Sequence, residues 1–179
     1  MDCTDNVCYI RMHFLDASAL VKYILFPDIP ESIEPGSKNI NEYIKKGVCL
    51  LYTNNLCLAE AFIVLKTKYF GSKARKVLNF DGYLIVINRL KGRIKRNLIE
   101  ISKFDYLADN NLEKAIEIIE KYQIDLFDAL QIVDVKYGQY SSFRRKSQTL
   151  LITADENLAN AAKKEGVKVW YCINEPVPE

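Results

Sequence analysis

Apolar positions along this chain switch repeatedly between two periods. Tyr9 to Leu15 is a strand-length run in which only Arg11 and His13 are polar, and Ala17, Leu20, Val21, Ile24 and Leu25 then recur at helical spacing. Residues 1–8 read as a frayed lead-in, and prolines with Gly36 make 26–37 a loop. The spacing next predicts a short helix over Asn39–Lys46, stopped by Gly47, and a buried strand over Val48–Tyr52. Thr53-Asn54-Asn55 offers N-caps for a helix from Leu56 to about Tyr69. A second helical stretch covers Lys73 to about Arg96, which Asp81-Gly82 could interrupt, and Leu98–Ile101 could be a short strand.

The last third repeats the alternation. A helix capped by Asn110 or Asn111 runs to Tyr122 with Leu112, Ala115, Ile116 and Ile119 inward, and another runs from Leu126 to Tyr137, ended by Gly138. Gln139–Ser147 is a polar, basic surface loop, followed by a strand over Thr149–Thr153, a helix over Glu156–Glu165 and a strand over Val167–Ile173. Strands separated by helices predict a three-layer α/β/α domain with a central, mainly parallel sheet and right-handed crossovers. The whole chain, 1–179, reads as one domain with a helical insert around 72–97.

Composition changes this picture little. The net charge of +2 neither favours nor excludes a nucleic-acid partner. No run approaches the ~20 apolar residues of a membrane span, and no basic leader precedes an apolar stretch. Five scattered cysteines with a single histidine suggest neither a zinc site nor a disulfide framework. Reduced, buried thiols in a cytoplasmic protein fit them better.

The candidate chemistry lies in four acids. Asp16 stands where the first apolar strand hands over to a helix, and Asp155 repeats that placement after Leu150-Leu151-Ile152-Thr153-Ala154. Ligands of open α/β sheets bind at such carboxyl ends of strands. Glu60 and Asp128 sit in otherwise apolar helical surroundings, where an ionised carboxylate needs a charge partner, a proton or a metal. Each has a plainer account: Asp16 caps a helix, Glu60 faces solvent, Asp128 enjoys a helix dipole. Asp125 is the better cap for that last helix, and Asp134 reads as solvated or paired. The absences narrow the field further. Neither a Walker loop nor GxGxxG occurs, and His13 lies within a strand, so no serine or cysteine relay can be assembled around it. Clustered carboxylates are oxygen ligands suited to Mg2+ or Mn2+.

The succession Leu15-Asp16-Ala17-Ser18-Ala19-Leu20-Val21, Leu58-Ala59-Glu60-Ala61, Asp128-Ala129-Leu130 and Leu151-Ile152-Thr153-Ala154-Asp155-Glu156-Asn157-Leu158 resembles a PIN domain, and within that family the VapC-type toxin ribonucleases. The resemblance implies that Asp16, Glu60, Asp128 and Asp155 bind metal and catalyse, with Ser18 and Thr153 in support. It also implies Mg2+- or Mn2+-dependent cleavage of RNA by activated water, a homodimer, and a small antitoxin partner. Two features depart from the compact toxins: the 26–37 loop together with the basic insert, and the run Gln131-Ile132-Val133-Asp134-Val135-Lys136 after the third acid. Lys91, Arg93, Lys95 and Arg96 form one basic group, and Arg144, Arg145 and Lys146 another, near Tyr140 and Phe143. These suit an RNA backbone and stacked bases as well as a solvated basic face. Competing expectations are a structure-specific DNA nuclease and a catalytically silent RNA-binding or scaffold subunit. A phosphoacceptor receiver is disfavoured, since no adjacent acidic pair ends the first strand.

Overall fold

The computed structural model describes residues 2–4, 7–9, 11–30, 33–46, 49–72, 76–108, 110–141 and 149–178. A short antiparallel pair, β1 (Asp2–Thr4) and β2 (Val7–Tyr9), precedes the main sheet. That sheet comprises β3 (Arg11–Leu15), β4 (Cys49–Asn54), β5 (Glu100–Ser102), β6 (Leu150–Thr153) and β7 (Lys168–Tyr171). All five strands are parallel, in the order β5-β4-β3-β6-β7.

Seven helices fill the connections among the described residues: α1 (Ala17–Leu25), α2 (Ser37–Lys46), α3 (Asn55–Phe70), α4 (Phe80–Lys95), α5 (Asn111–Tyr122), α6 (Leu126–Tyr137) and α7 (Glu156–Lys164). Because successive strand residues point to opposite faces, the strands divide the core in two. Leu15, Leu51, Leu150 and Ile152 pack with Leu20 and Ile24 of α1, Leu65 of α3 and Leu90 of α4. Met12, Phe14, Tyr52 and Leu151 pack on the other face with Ile118 of α5, Ile132 and Val133 of α6, and Leu158 of α7. This double covering explains the near-continuous apolar character of the central strands. Full burial of each such side chain contributes about 1.5–3 kcal/mol, so the sheet and both helical layers stand or fall together.

Strand order decides where a ligand could sit. From β3 the chain moves outward through β4 to β5, then returns to pair β6 on the other side of β3. The order reverses between β3 and β6, which makes the gap beyond their carboxyl ends the switch point of the sheet. Asp16 and Asp155 follow those two strands.

Several expected boundaries shift, each for a local reason. The lead-in carries the β1–β2 pair rather than a frayed segment. The insert's helix starts at Phe80, not Lys73, because the Asn79 side chain accepts from the Gly82 N–H and caps it there. Asp81-Gly82 is therefore its first turn and no interruption. The short strand lies at Glu100–Ser102 and not at Leu98–Ile101, since its register is set by Tyr52 facing Glu100. On α5, Ile118 is buried and Ile116 is 45% exposed. No helix among the described residues is long and apolar enough to cross a membrane.

Candidate functional site

Asp16 is built into the sheet's switch point from both strands. Its N–H donates to the Ile152 carbonyl of β6 (3.3 Å), and its carboxylate caps α1 by accepting from the Ala19 N–H (2.6 Å). Two hydroxyls complete its surroundings. Ser18 Oγ lies 2.9 and 2.8 Å from the two carboxylate oxygens, and Thr153 Oγ1 donates to Oδ2 at 2.7 Å. The same hydroxyls accept from the next strand end, Ser18 from the Ala154 N–H (2.8 Å) and Thr153 from the Asp155 N–H (2.9 Å). Ser18 and Thr153 thus stitch the end of β3 to the end of β6. Asp16 is only 3% exposed, and burial pushes its pKa up to about 6 against the pull of these hydrogen bonds.

The other acids arrive on helix ends and faces. Asp155 caps α7 through the Asn157 and Leu158 N–H groups (2.8 and 3.0 Å). Asp125 caps α6 by accepting from the Asp128 N–H at 3.0 Å, which leaves Asp128 on the helix's first turn with its side chain unspent on the cap. Glu60 projects from α3 and accepts from Gln131 Nε2 at 3.2 Å, which brings α3 and α6 together at the site. Burial, followed by the charges of Asp125, Asp16 and Asp155, pushes Glu60 up to about 7. Burial raises Asp128 to about 7 too, reinforced by Asp125, Asp155, Asp16 and Glu60. The four acids therefore lie within electrostatic reach of one another. Among the described residues, no ion pair joins a Lys or Arg to any of them.

Repulsion without a basic partner is the condition a divalent cation relieves, and an all-oxygen donor set suits hard Mg2+ or Mn2+. Among the described residues, no three acids, histidines or cysteines are gathered tightly enough to hold an ion as they stand. Asp16 and Asp155 spend oxygens on helix caps instead, so the acids would have to draw in around a cation. In chemistry, such a set fits the metal.

The other expected residues divide. Arg93 is half-buried, 3.6 Å from the Tyr23 ring centroid, with a 3.5 Å hydrogen bond to the Tyr23 carbonyl. Its guanidinium is thus engaged on α1, roughly 10 Å along that helix from Asp16. Arg96 donates from Nε to the Gly92 carbonyl, while Lys91 and Lys95 are exposed. Tyr140 is no open stacking platform: it is 7% exposed, packs on Tyr52, and donates to Glu100 at 2.6 Å. Phe143, Arg144, Arg145 and Lys146 lie outside the described residues. His13 is a packed strand residue whose ring stacks on Tyr43.

Asp134, expected to be solvated or paired, and Gln131, to which the sequence assigned no role, are both buried in α6. Asp134, 1% exposed, is held by Asn54 Nδ2 (2.9 Å) and Ser102 Oγ (3.3 Å), both at strand ends. Gln131, 2% exposed, faces Glu60. Its available signal was a polar residue three positions after Asp128 in an apolar helix, which is the same helical face.

Comparison with protein-family models, with curated proteins and with solved structures finds no match for this chain.

Proposed function

We propose that this protein is a divalent-metal-dependent endoribonuclease of the PIN type. The observation that carries the reading is the group of four mutually repelling acids, without a basic partner among the described residues, at the switch point of a parallel sheet. Asp16, Glu60 and Asp128 would hold one cation, and Asp155 would complete that site or help to hold a second. When bound, the metal would activate water and offset charge developing on the phosphodiester. The chain's own part is placement: Ser18 and Thr153 orient Asp16, and Asp125 keeps the α6 end in position for Asp128. Order of the residues in sequence adds the PIN resemblance as a second support.

The test is incubation of the purified chain with RNA and DNA oligonucleotides of matched sequence, in Mg2+, Mn2+ or EDTA. Cleavage of RNA alone, abolished by EDTA, is the expected result. Cleavage of branched or flapped DNA instead would transfer the reading to a DNA nuclease. Metal-independent RNA binding with no cut in any condition would favour the silent module.

A homodimer belongs to the same proposal. It is supported by the exposed apolar side chains Phe62, Ile63 and Phe70 on α3 and Phe80, Leu84 and Ile85 on α4. Light scattering should give twice the chain mass, and Ile63→Glu, at a residue 64% exposed, should give the single-chain mass without loss of fold. A wild-type monomer at micromolar concentration would remove the dimer from the proposal. The toxin role and a small antitoxin as partner rest on the resemblance alone, and a cytoplasmic location on the reading of the cysteines as reduced thiols.

A further inference from the structure

Among the described residues, Gln131 brings to the acid cluster a buried polar atom that has no partner. Its Nε2 donates to Glu60 Oε2 at 3.2 Å, whereas its Oε1 is buried and accepts from no group among the described residues. The orientation of the amide is not free. With Glu60 ionised, the state a cation selects, turning it over would set Oε1 against the carboxylate, oxygen facing oxygen with no proton between them. Glu60 therefore commits the nitrogen and leaves the oxygen as a spare acceptor. A buried acceptor without a donor is costly, and a leucine would fill a similar volume without that cost. Gln131 also sits one helical turn beyond Asp128 on the same face of α6, and its carboxamide meets Glu60 of α3.

We propose that Gln131 is a positioning residue for the bound cation. Its Nε2 would fix the Glu60 carboxylate for coordination, and its Oε1, closed to solvent in the metal-free chain, would accept a hydrogen bond from a water on the metal once the acids draw in around the cation. This deepens the nuclease reading and rests on it. Mg2+ and Mn2+ retain several waters when protein carboxylates bind them, and each such water is a donor in search of an acceptor. Residues that orient the ligands and waters of a metal commonly govern its affinity as strongly as 10–100-fold.

The experiment is a Mn2+ titration of the full chain, followed by electron paramagnetic resonance of free Mn2+, beside thermal melting of the metal-free protein. Wild type, Gln131→Leu and Asp16→Asn are compared, with Gln131→Met as a second, unbranched replacement should the leucine variant not fold. The expected result is a Mn2+ dissociation constant raised roughly 10–100-fold in the Gln131 variants, with metal-free melting no lower than wild type. Wild-type affinity in the Gln131 variants, with Asp16→Asn impaired, would overturn the positioning role and leave the metal site standing. Lowered metal-free melting with unchanged Mn2+ affinity would likewise overturn it, making Gln131 a packing residue only. Wild-type protein that binds no more Mn2+ than Asp16→Asn would overturn the metal reading and this inference together.

Discussion

Asp16→Asn should lower RNA cleavage by roughly a thousandfold or more, since a metal site supplies several kcal/mol of transition-state stabilisation at about 1.4 kcal/mol per tenfold. The fold should survive. Asn is as good an N-cap as Asp, and its side-chain oxygen can still accept from the Ala19 N–H. Its amide would face the hydroxyls of Ser18 and Thr153, each of which accepts one backbone N–H and retains a second lone pair. Substitution also removes a buried negative charge from among three others. The metal-free variant should therefore melt at or above the wild-type temperature at pH 7.5, while its stabilisation by Mn2+ disappears. Activity and melting measured on one preparation separate the outcomes. Cleavage within tenfold of wild type would remove Asp16 from the site.

Metal-free protein should lose stability as pH rises from about 5 to 7.5. Asp16, Asp134, Glu60 and Asp128 all have folded pKa values raised, to about 6, 6, 7 and 7. In that interval the folded state binds more protons than the unfolded chain, so stability falls with increasing pH. For buried Asp16, a rise from 3.8 to about 6 corresponds to about 3 kcal/mol, fully lost once pH exceeds the folded value. Glu165 works in the opposite sense. Lys136, Lys121 and Tyr122 hold its pKa near 2, so its stabilisation is present above pH 4.5, lost only in stronger acid, and constant across the measured window. A divalent cation selects the ionised acids, so saturating Mn2+ should abolish the part of the decline due to Asp16, Glu60 and Asp128. Asp134 lies on neutral donors, and Asp134→Asn should remove its share with or without metal. Urea unfolding in EDTA at pH 5.5 and 7.5 reads the effect. Stability that increases over that interval would show that these acids are ionised at no cost.

Local signals determined much of this protein. Helix α6 is readable at both ends, from the Asp125 cap to Gly138, because a cap acts on a backbone amide three residues away. The strand-to-helix junctions at Asp16 and Asp155 are readable for the same reason, as is the α/β class from the switch between periods of 2 and 3.6. Strand order is not local. Nothing within Tyr9–Leu15 states that β6, some 130 residues later, pairs beside it, yet that pairing puts Asp16 and Asp155 at one switch point. Packing likewise chose among equals. Ile118 rather than Ile116 turns inward on α5, and Tyr140 joins Tyr52 in the core rather than solvent. Apolar side chains stand on both sides of these elements, and only the neighbour that arrives decides which is buried. Gln131 shows the limit most directly. Its polarity is visible in the sequence, but that its nitrogen meets Glu60 and its oxygen meets no donor among the described residues is set by the approach of α3 to α6.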